Sequence, residues 1–133
     1  MKVERIAVVG AGAWGAALAN VLALAGRKVT LCARDAAAVR RIAERRESMR
    51  LPGVTIDASI KVDCAPPGTK QDTVLLAVPA QNLREAAQAL AWNLDRSTPV
   101  IACAKGIERG THKFMTDVIA ECAPKAVPAI LSG

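Results

Sequence analysis

The stretch Ile6-Ala7-Val8-Val9-Gly10-Ala11-Gly12-Ala13-Trp14-Gly15 decides the fold of this chain. It opens on an apolar, β-branched run with the composition of a buried strand. Leu18, Val21, Leu22 and Ala25 then fall at helical spacing, and Gly26 supplies a stop. The glycines therefore occupy a strand-to-helix turn, where each has its own task. Gly10 permits the tight turn, Gly12 admits a pyrophosphate close to the backbone, and Gly15 lets the helix pack near the strand. The helix start, with Ala13 and Trp14, aims free N–H groups and a positive dipole end at the phosphates.

The 133 residues are sufficient for one domain, 52% hydrophobic and 23% charged, which excludes a disordered chain. No apolar run approaches the roughly 20 residues that cross a bilayer. Met1-Lys2-Val3-Glu4-Arg5 leads straight into the first strand without a signal-peptide pattern, so a cytoplasmic protein with no membrane insertion is expected. Cys32, Cys64, Cys103 and Cys122 show neither a CxxC pair nor metal-ligand spacing. They read as small buried hydrophobes in a reducing compartment, with no metal expected.

Net charge is +6, much of it in Arg40, Arg41, Arg45, Arg46 and Arg50. A solvated helix face explains this stretch, and attraction of an anionic cofactor is the alternative. Trp14, Trp92 and Phe114 are the only aromatic residues, and no recognition motif accompanies them, so nucleic acid does not fit.

Strand-like and helical stretches alternate along the chain. Lys28 to Ala33 reads as a second strand, and Asp35 caps a helix through Arg46 with Val39, Ile42 and Ala43 inward. From Glu47 to Gln71 the chain reads mostly as loop, with a short strand near Ile60-Val62. Asp72 to Val78 is a buried strand stopped by Pro79, and Leu83, Ala86, Ala87, Leu90 and Leu94 mark the next helix face. Pro99 to Ala104, a helix from Thr111 to Cys122, and a strand at Ala129-Ile130-Leu131 complete the pattern. The expected fold is α/β, a doubly wound, mostly parallel sheet of the Rossmann kind with helices on both faces.

In that fold a ribose is read at the end of the second strand, where this chain has Arg34 and Asp35. An acidic side chain there takes the 2′-hydroxyl of NAD, whereas Arg suits the 2′-phosphate of NADP. Arg34 favours NADP over NAD, and Asp35 either serves the ribose or only caps its helix. Pro79, with Ala80 and Gln81, ends the central strand beside the crevice and bounds the nicotinamide pocket. Lys105 leaves its strand on the same edge, suited to a phosphate, a carbonyl or a nicotinamide neighbour, or simply to solvent. Glu108 reads as a local hydrogen-bonding partner, and His112 as a solvated residue near a helix start.

These motifs occur in a fixed order with Leu51-Pro52-Gly53, Ala77-Val78-Pro79, Arg84, Lys105-Gly106-Ile107-Glu108 and Leu131-Ser132-Gly133. The chain thereby resembles the N-terminal domain of bacterial NAD(P)-dependent glycerol-3-phosphate dehydrogenase along all of residues 1–133. The resemblance implies that Trp14 and Arg34 contact the dinucleotide, Arg34 at its adenosine end. Lys105 would lie between cofactor and substrate, and Gly133 would contribute a backbone contact to glycerol 3-phosphate. The implied reaction is reduction of dihydroxyacetone phosphate to sn-glycerol 3-phosphate for phospholipid synthesis. A helical domain after Gly133 would supply the principal catalytic lysine, and the longer protein has room for a homodimer. Family members tend to carry Asn and Tyr before Leu-Pro-Gly, where this chain has Glu47-Ser48-Met49-Arg50. Two other readings stay open: another Rossmann reductase of 2-keto or 2-hydroxy acids, and a non-catalytic nucleotide sensor.

Overall fold

The computed structural model describes residues 2–64 and 70–132. The chain runs β1 (Arg5–Val9), α1 (Ala13–Leu24), β2 (Lys28–Cys32), α2 (Ala36–Arg45), β3 (Glu47–Ser48), β4 (Leu51–Thr55) and β5 (Lys61–Asp63). It continues through β6 (Thr73–Leu76), α3 (Leu83–Leu90), β7 (Thr98–Ala102), α4 (Met115–Cys122) and β8 (Ala126–Ile130). Six strands form one sheet in the order β5-β2-β1-β6-β7-β8. Every pairing in it is parallel.

This is the doubly wound sheet that the alternation of strands and helices predicts. The chain winds outward from β1 to β5, then returns to β6 on the other side of β1. Val9 is level with both Cys32 and Leu76, so the C-terminal ends of β1, β2 and β6 open together at the point where the order reverses. Ligands of open α/β sheets bind at that point.

Alternation along the strands divides the interior into two cores. Ala7, Val74, Leu76, Val100 and Ala102 face α3 and α4, where Leu83, Leu90, Val118 and Ile119 close the layer. Ile6, Val8, Val29, Leu31 and Leu75 face the other way, against Ala16 and Ala19 of α1 and Ile42 of α2. Burial of both strand faces explains the continuous apolar runs of β1 and β6.

Several expectations need correction. The buried residues of α1 are Gly15, Ala16 and Ala19, whereas Val21 is 62% exposed and Leu18 and Leu22 are only partly covered. The helix lies too close to β1 for large side chains to come between them. In α2 only Ile42 is fully buried, and Ala43 is exposed. The segment after Arg46 contains an antiparallel hairpin, β3 with β4, turning through Met49 and Arg50. Pro52 is tolerated there because β4 is an edge strand. The helix expected from Thr111 starts at Met115, since the chain turns at residues 109–111 and Phe114 comes back onto Ile107. Leu94 is buried but follows the helix instead of belonging to it. Of the four cysteines, Cys32 is buried as expected, Cys103 and Cys122 are half-buried, and Cys64 is exposed. The Ala65-Pro66-Pro67-Gly68 segment lies outside the described residues.

Candidate nucleotide-binding site

The turn between β1 and α1 is shaped by its glycines. Gly10 has φ +111°, and a Cβ there would lie 2.3 Å from the Ala77 carbonyl oxygen. A Cβ on Gly15 would lie 1.7 Å from the carbonyl oxygen of Gly10. Both positions exclude any side chain. Around Gly12 the nearest atom to such a Cβ is the Arg50 side chain at 3.8 Å, which leaves an open cradle above the backbone. Gly12 is also the N-cap of α1, with no side chain capping it and no acidic residue in the first turn. The amides of Ala13 and Trp14 lie outside the intrahelical ladder. The positive end of this 12-residue helix is therefore left for an external anion.

A cavity of about 1620 Å³ opens over this turn. Gly10, Gly12, Ala13 and Trp14 form part of its wall, and Pro79 and Ala80 form another. Among the described residues, four cationic side chains line it, from Arg34, Arg41, Arg50 and Lys105, against a single carboxylate, Glu85. Among the described residues, none of the three arginine side chains is paired with a carboxylate. An open cavity with this excess of positive charge suits a polyanionic ligand. The hairpin reaches the site through Ser48, whose hydroxyl donates to the Ala11 carbonyl at 3.0 Å and accepts from the Arg50 amide at 3.3 Å.

Lys105 sits on the span that leaves β7, followed by Gly106 at φ +108°. Beyond it, the Arg84 guanidinium holds both oxygens of Glu108, at 2.8 and 2.9 Å, and reaches Glu121 at 3.0 Å. Thr111 donates to the same Glu108 carboxylate, and Lys113 pairs with Glu121. Arg84 and Thr111 together hold the Glu108 carboxyl down to about 2, while its two acidic partners raise Arg84 further above its already high value. Burial, with Asp63 nearby, pushes the Cys32 thiol up to about 12, and burial pushes Cys103 up to about 11. Both thiols stay protonated at neutral pH and lack nucleophilic character.

The structure brings Gly10, Gly12, Ala13, Trp14, Arg34, Pro79 and Lys105 to one cavity. Gly15 lies beneath it, buried against the Gly10 carbonyl. Asp35 does not line the cavity: its carboxylate caps α2, accepting from the Ala38 amide at 2.8 Å. Gln81 also turns away from the wall and bonds to the backbone of Ile107 and Arg109. His112 is exposed, at φ +58° in the turn before α4. Gly133 lies outside the described residues. Arg46, read with the basic stretch as solvated, donates to the Ile60 carbonyl at 2.7 Å. Sequence reasoning did not single out Ser48, because one serine in a stretch read as loop carries no periodic signal. Among the described residues, no group of three or more His, Cys, Asp or Glu side chains could hold a metal ion. No described helix is long and apolar enough to cross a membrane.

A parallel sheet in this order, with a glycine turn feeding a helix at its switch point, defines a Rossmann-type domain of the class carried by nucleotide-dependent oxidoreductases. The family model described as NAD-dependent glycerol-3-phosphate dehydrogenase N-terminus matches residues 5–133, and the chain belongs to that family. A protein of Bradyrhizobium sp. (strain ORS 278) named glycerol-3-phosphate dehydrogenase (NAD(P)+) is 59% identical over 99% of this chain and 41% of its own length. The crystal structure of glycerol-3-phosphate dehydrogenase from Coxiella burnetii superposes with a TM-score of 0.86 at 27% identity, covering 98% of this chain and 41% of that one. Glycerol-3-phosphate dehydrogenase of Saccharomyces cerevisiae, at 22% identity and a TM-score of 0.82 over 99% of this chain and 42% of its own, bears on the fold alone. The chain thus spans about two-fifths of the length of the curated relatives it matches.

Proposed function

We propose that this chain is the dinucleotide-binding part of an NAD(P)-dependent oxidoreductase that interconverts dihydroxyacetone phosphate and sn-glycerol 3-phosphate in the cytoplasm. The observation that carries the reading is the glycine turn. Side chains are excluded at Gly10 and Gly15, the space over Gly12 is open, and an uncapped helix start lies behind it. A pyrophosphate needs that combination, and the surrounding arginines match its charge. The names of the 59% identical relative and of the Coxiella enzyme support the reaction class.

In this reading Gly12, Ala13 and Trp14 hold the pyrophosphate through the backbone, and Trp14 covers the dinucleotide. Arg34 holds the adenosine end. Arg34 lines the cavity at the end of β2, whereas Asp35 does not and gives one carboxylate oxygen to the cap of α2, which favours NADP over NAD. The bound dinucleotide supplies the hydride. Pro79 and Ala80 wall the nicotinamide side and exclude water, while Lys105, between cofactor and substrate, donates to polar groups of the nicotinamide end and of the phosphorylated substrate. Gly133 belongs to the substrate contacts by its match to the family. The general acid that protonates the developing alkoxide, and the principal catalytic lysine, would come from a further, helical part of the protein.

The test is a chimera in which residues 1–133 replace the corresponding segment of the Bradyrhizobium relative. Dihydroxyacetone phosphate should then drive NADPH oxidation, which Lys105→Met should abolish or nearly so. A folded, nucleotide-binding chimera with no activity on this substrate contradicts the assignment of the reaction.

A further inference from the structure

Lys105 lies between two anchored points of the chain. Upstream, the Cys103 amide donates to the Leu76 carbonyl at 3.0 Å, and the Ala102 carbonyl accepts from the Leu131 amide at 2.9 Å. Both bonds fix the end of β7 to its sheet neighbours. Downstream, the loop folds on itself: Ile107 bridges to Phe114, the Glu108 amide donates to the Lys113 carbonyl, and the His112 amide donates to the Glu108 carbonyl. This folded loop is tied to the region leading into α3 at two places. The Gln81 side-chain amide donates to the Ile107 carbonyl at 3.1 Å and accepts from the Arg109 amide at 2.9 Å. One turn on, Arg84 grips Glu108 with a two-point fork. Between the anchors lie only Ala104, Lys105 and Gly106.

The short helical turn that carries Gln81 also carries Ala80, which with the preceding Pro79 walls the cavity. That wall and the Lys105 backbone are therefore referenced to the same element. The backbone position sets the region that the flexible stem of a lysine lets its ammonium reach, whatever partners the side chain itself makes. A fold that needed only to close the loop would not require both a paired amide and a part-buried, forked ion pair on one carboxylate-bearing loop.

We propose that Gln81 and Arg84 are positioning residues that hold Lys105 at the cavity through the loop of residues 105–114. The proposal rests on the cofactor reading above and adds to it a clamp. Gln81 fixes the loop backbone, Arg84 fixes its carboxylate, and Glu121 on α4 holds the guanidinium from its far side.

The test measures binding of NADH and of AMP to this chain by calorimetry, for the unsubstituted protein and for Gln81→Leu, Arg84→Lys, Arg84→Met and Lys105→Met. AMP occupies only the adenosine end, away from Lys105, so it reports whether the glycine turn is intact. Gln81→Leu and Arg84→Met should weaken NADH roughly three- to tenfold while leaving AMP within about twofold. Arg84→Lys, which keeps the charge without the fork, should fall between. Placed in the Lys105→Met background, Gln81→Leu should cost nothing further, since the residue it positions is gone. Equal weakening of AMP and NADH would show a purely structural role and overturn the clamp. So would an unchanged NADH affinity in Gln81→Leu or in Lys105→Met, or a Gln81→Leu loss that persists without Lys105. Failure of the unsubstituted chain to bind either nucleotide overturns the cofactor reading, and the clamp with it.

Discussion

Gly15 lies so close beneath the Gly10 carbonyl that a Cβ on it would come within 1.7 Å of that oxygen. The contact seats α1 on the end of β1 and sets the shape of the turn. Gly15→Ala must push the helix away, at a cost of about 3 kcal/mol or more by analogy with overpacked cores. Gly12→Ala meets nothing closer than 3.8 Å and should cost under about 1 kcal/mol, as an N-cap change. It should nevertheless weaken dinucleotide binding, because the added methyl occupies the cradle. Denaturant unfolding together with NADPH titration separates the two: one variant fails in stability, the other in binding.

Ser48 ties the hairpin to the glycine turn through its bond to the Ala11 carbonyl. Ser48→Ala removes the only donor the hairpin gives to that turn among the described residues, at about 1 kcal/mol. Amides of β3 and β4 should then exchange with solvent faster, while those of β1 and β6 stay protected. Exchange rates unchanged in the hairpin would show that the tether is not what holds it.

The Glu108 carboxyl is held down to about 2 from its ordinary 4.5 by Arg84 and Thr111. A carboxylate with a depressed value stabilises the folded state above its unfolded value and loses that contribution as pH falls toward the folded one. Its share of stability should therefore be complete above about pH 4.5 and decline between there and about pH 2. Glu108→Gln should lower the melting temperature at neutral pH and flatten the acid limb over that interval. Melting temperatures at a series of pH values test this, and parallel acid limbs for the two proteins would refute it.

Arg34 and Arg41 line the cavity with no carboxylate partner among the described residues. If Arg34 meets a 2′-phosphate, Arg34→Ser should weaken NADPH by roughly tenfold or more and NADH by much less. The difference should shrink as salt is raised, since exposed charges are screened. Equal losses for both dinucleotides would place the residue elsewhere on the cofactor.

The strand β1, its turn and the parallel order were legible because glycine spacing and apolar runs are local signals with a fixed structural meaning. Strand and helix alternation then left few topologies open. What could not be read was set by tertiary contact. The inward face of α1 consists of small residues because the helix is drawn close to β1, and nothing in the spacing of Leu18, Val21 and Leu22 announces that. The hairpin was hidden by Pro52 and Gly53, which read as breakers although an edge strand tolerates them. Asp35 carried two roles in the sequence, and the bond from the Ala38 amide to one of its carboxylate oxygens shows the capping role, a local detail that spacing alone does not announce. The grip of Gln81 and Arg84 on the Lys105 loop links residues 24 to 28 positions apart, beyond the reach of any periodicity.

The turn from Gly10 to Gly15 is proposed to bind a dinucleotide through its open glycine and the helix start behind it. Calorimetric titration of this chain with NADPH and with NADH tests it most directly. Saturable one-to-one binding of both is expected, tighter for NADPH, with marked weakening by Gly12→Ala in a protein that remains folded. Absence of heat from either dinucleotide, or affinities that Gly12→Ala leaves unchanged, would contradict it.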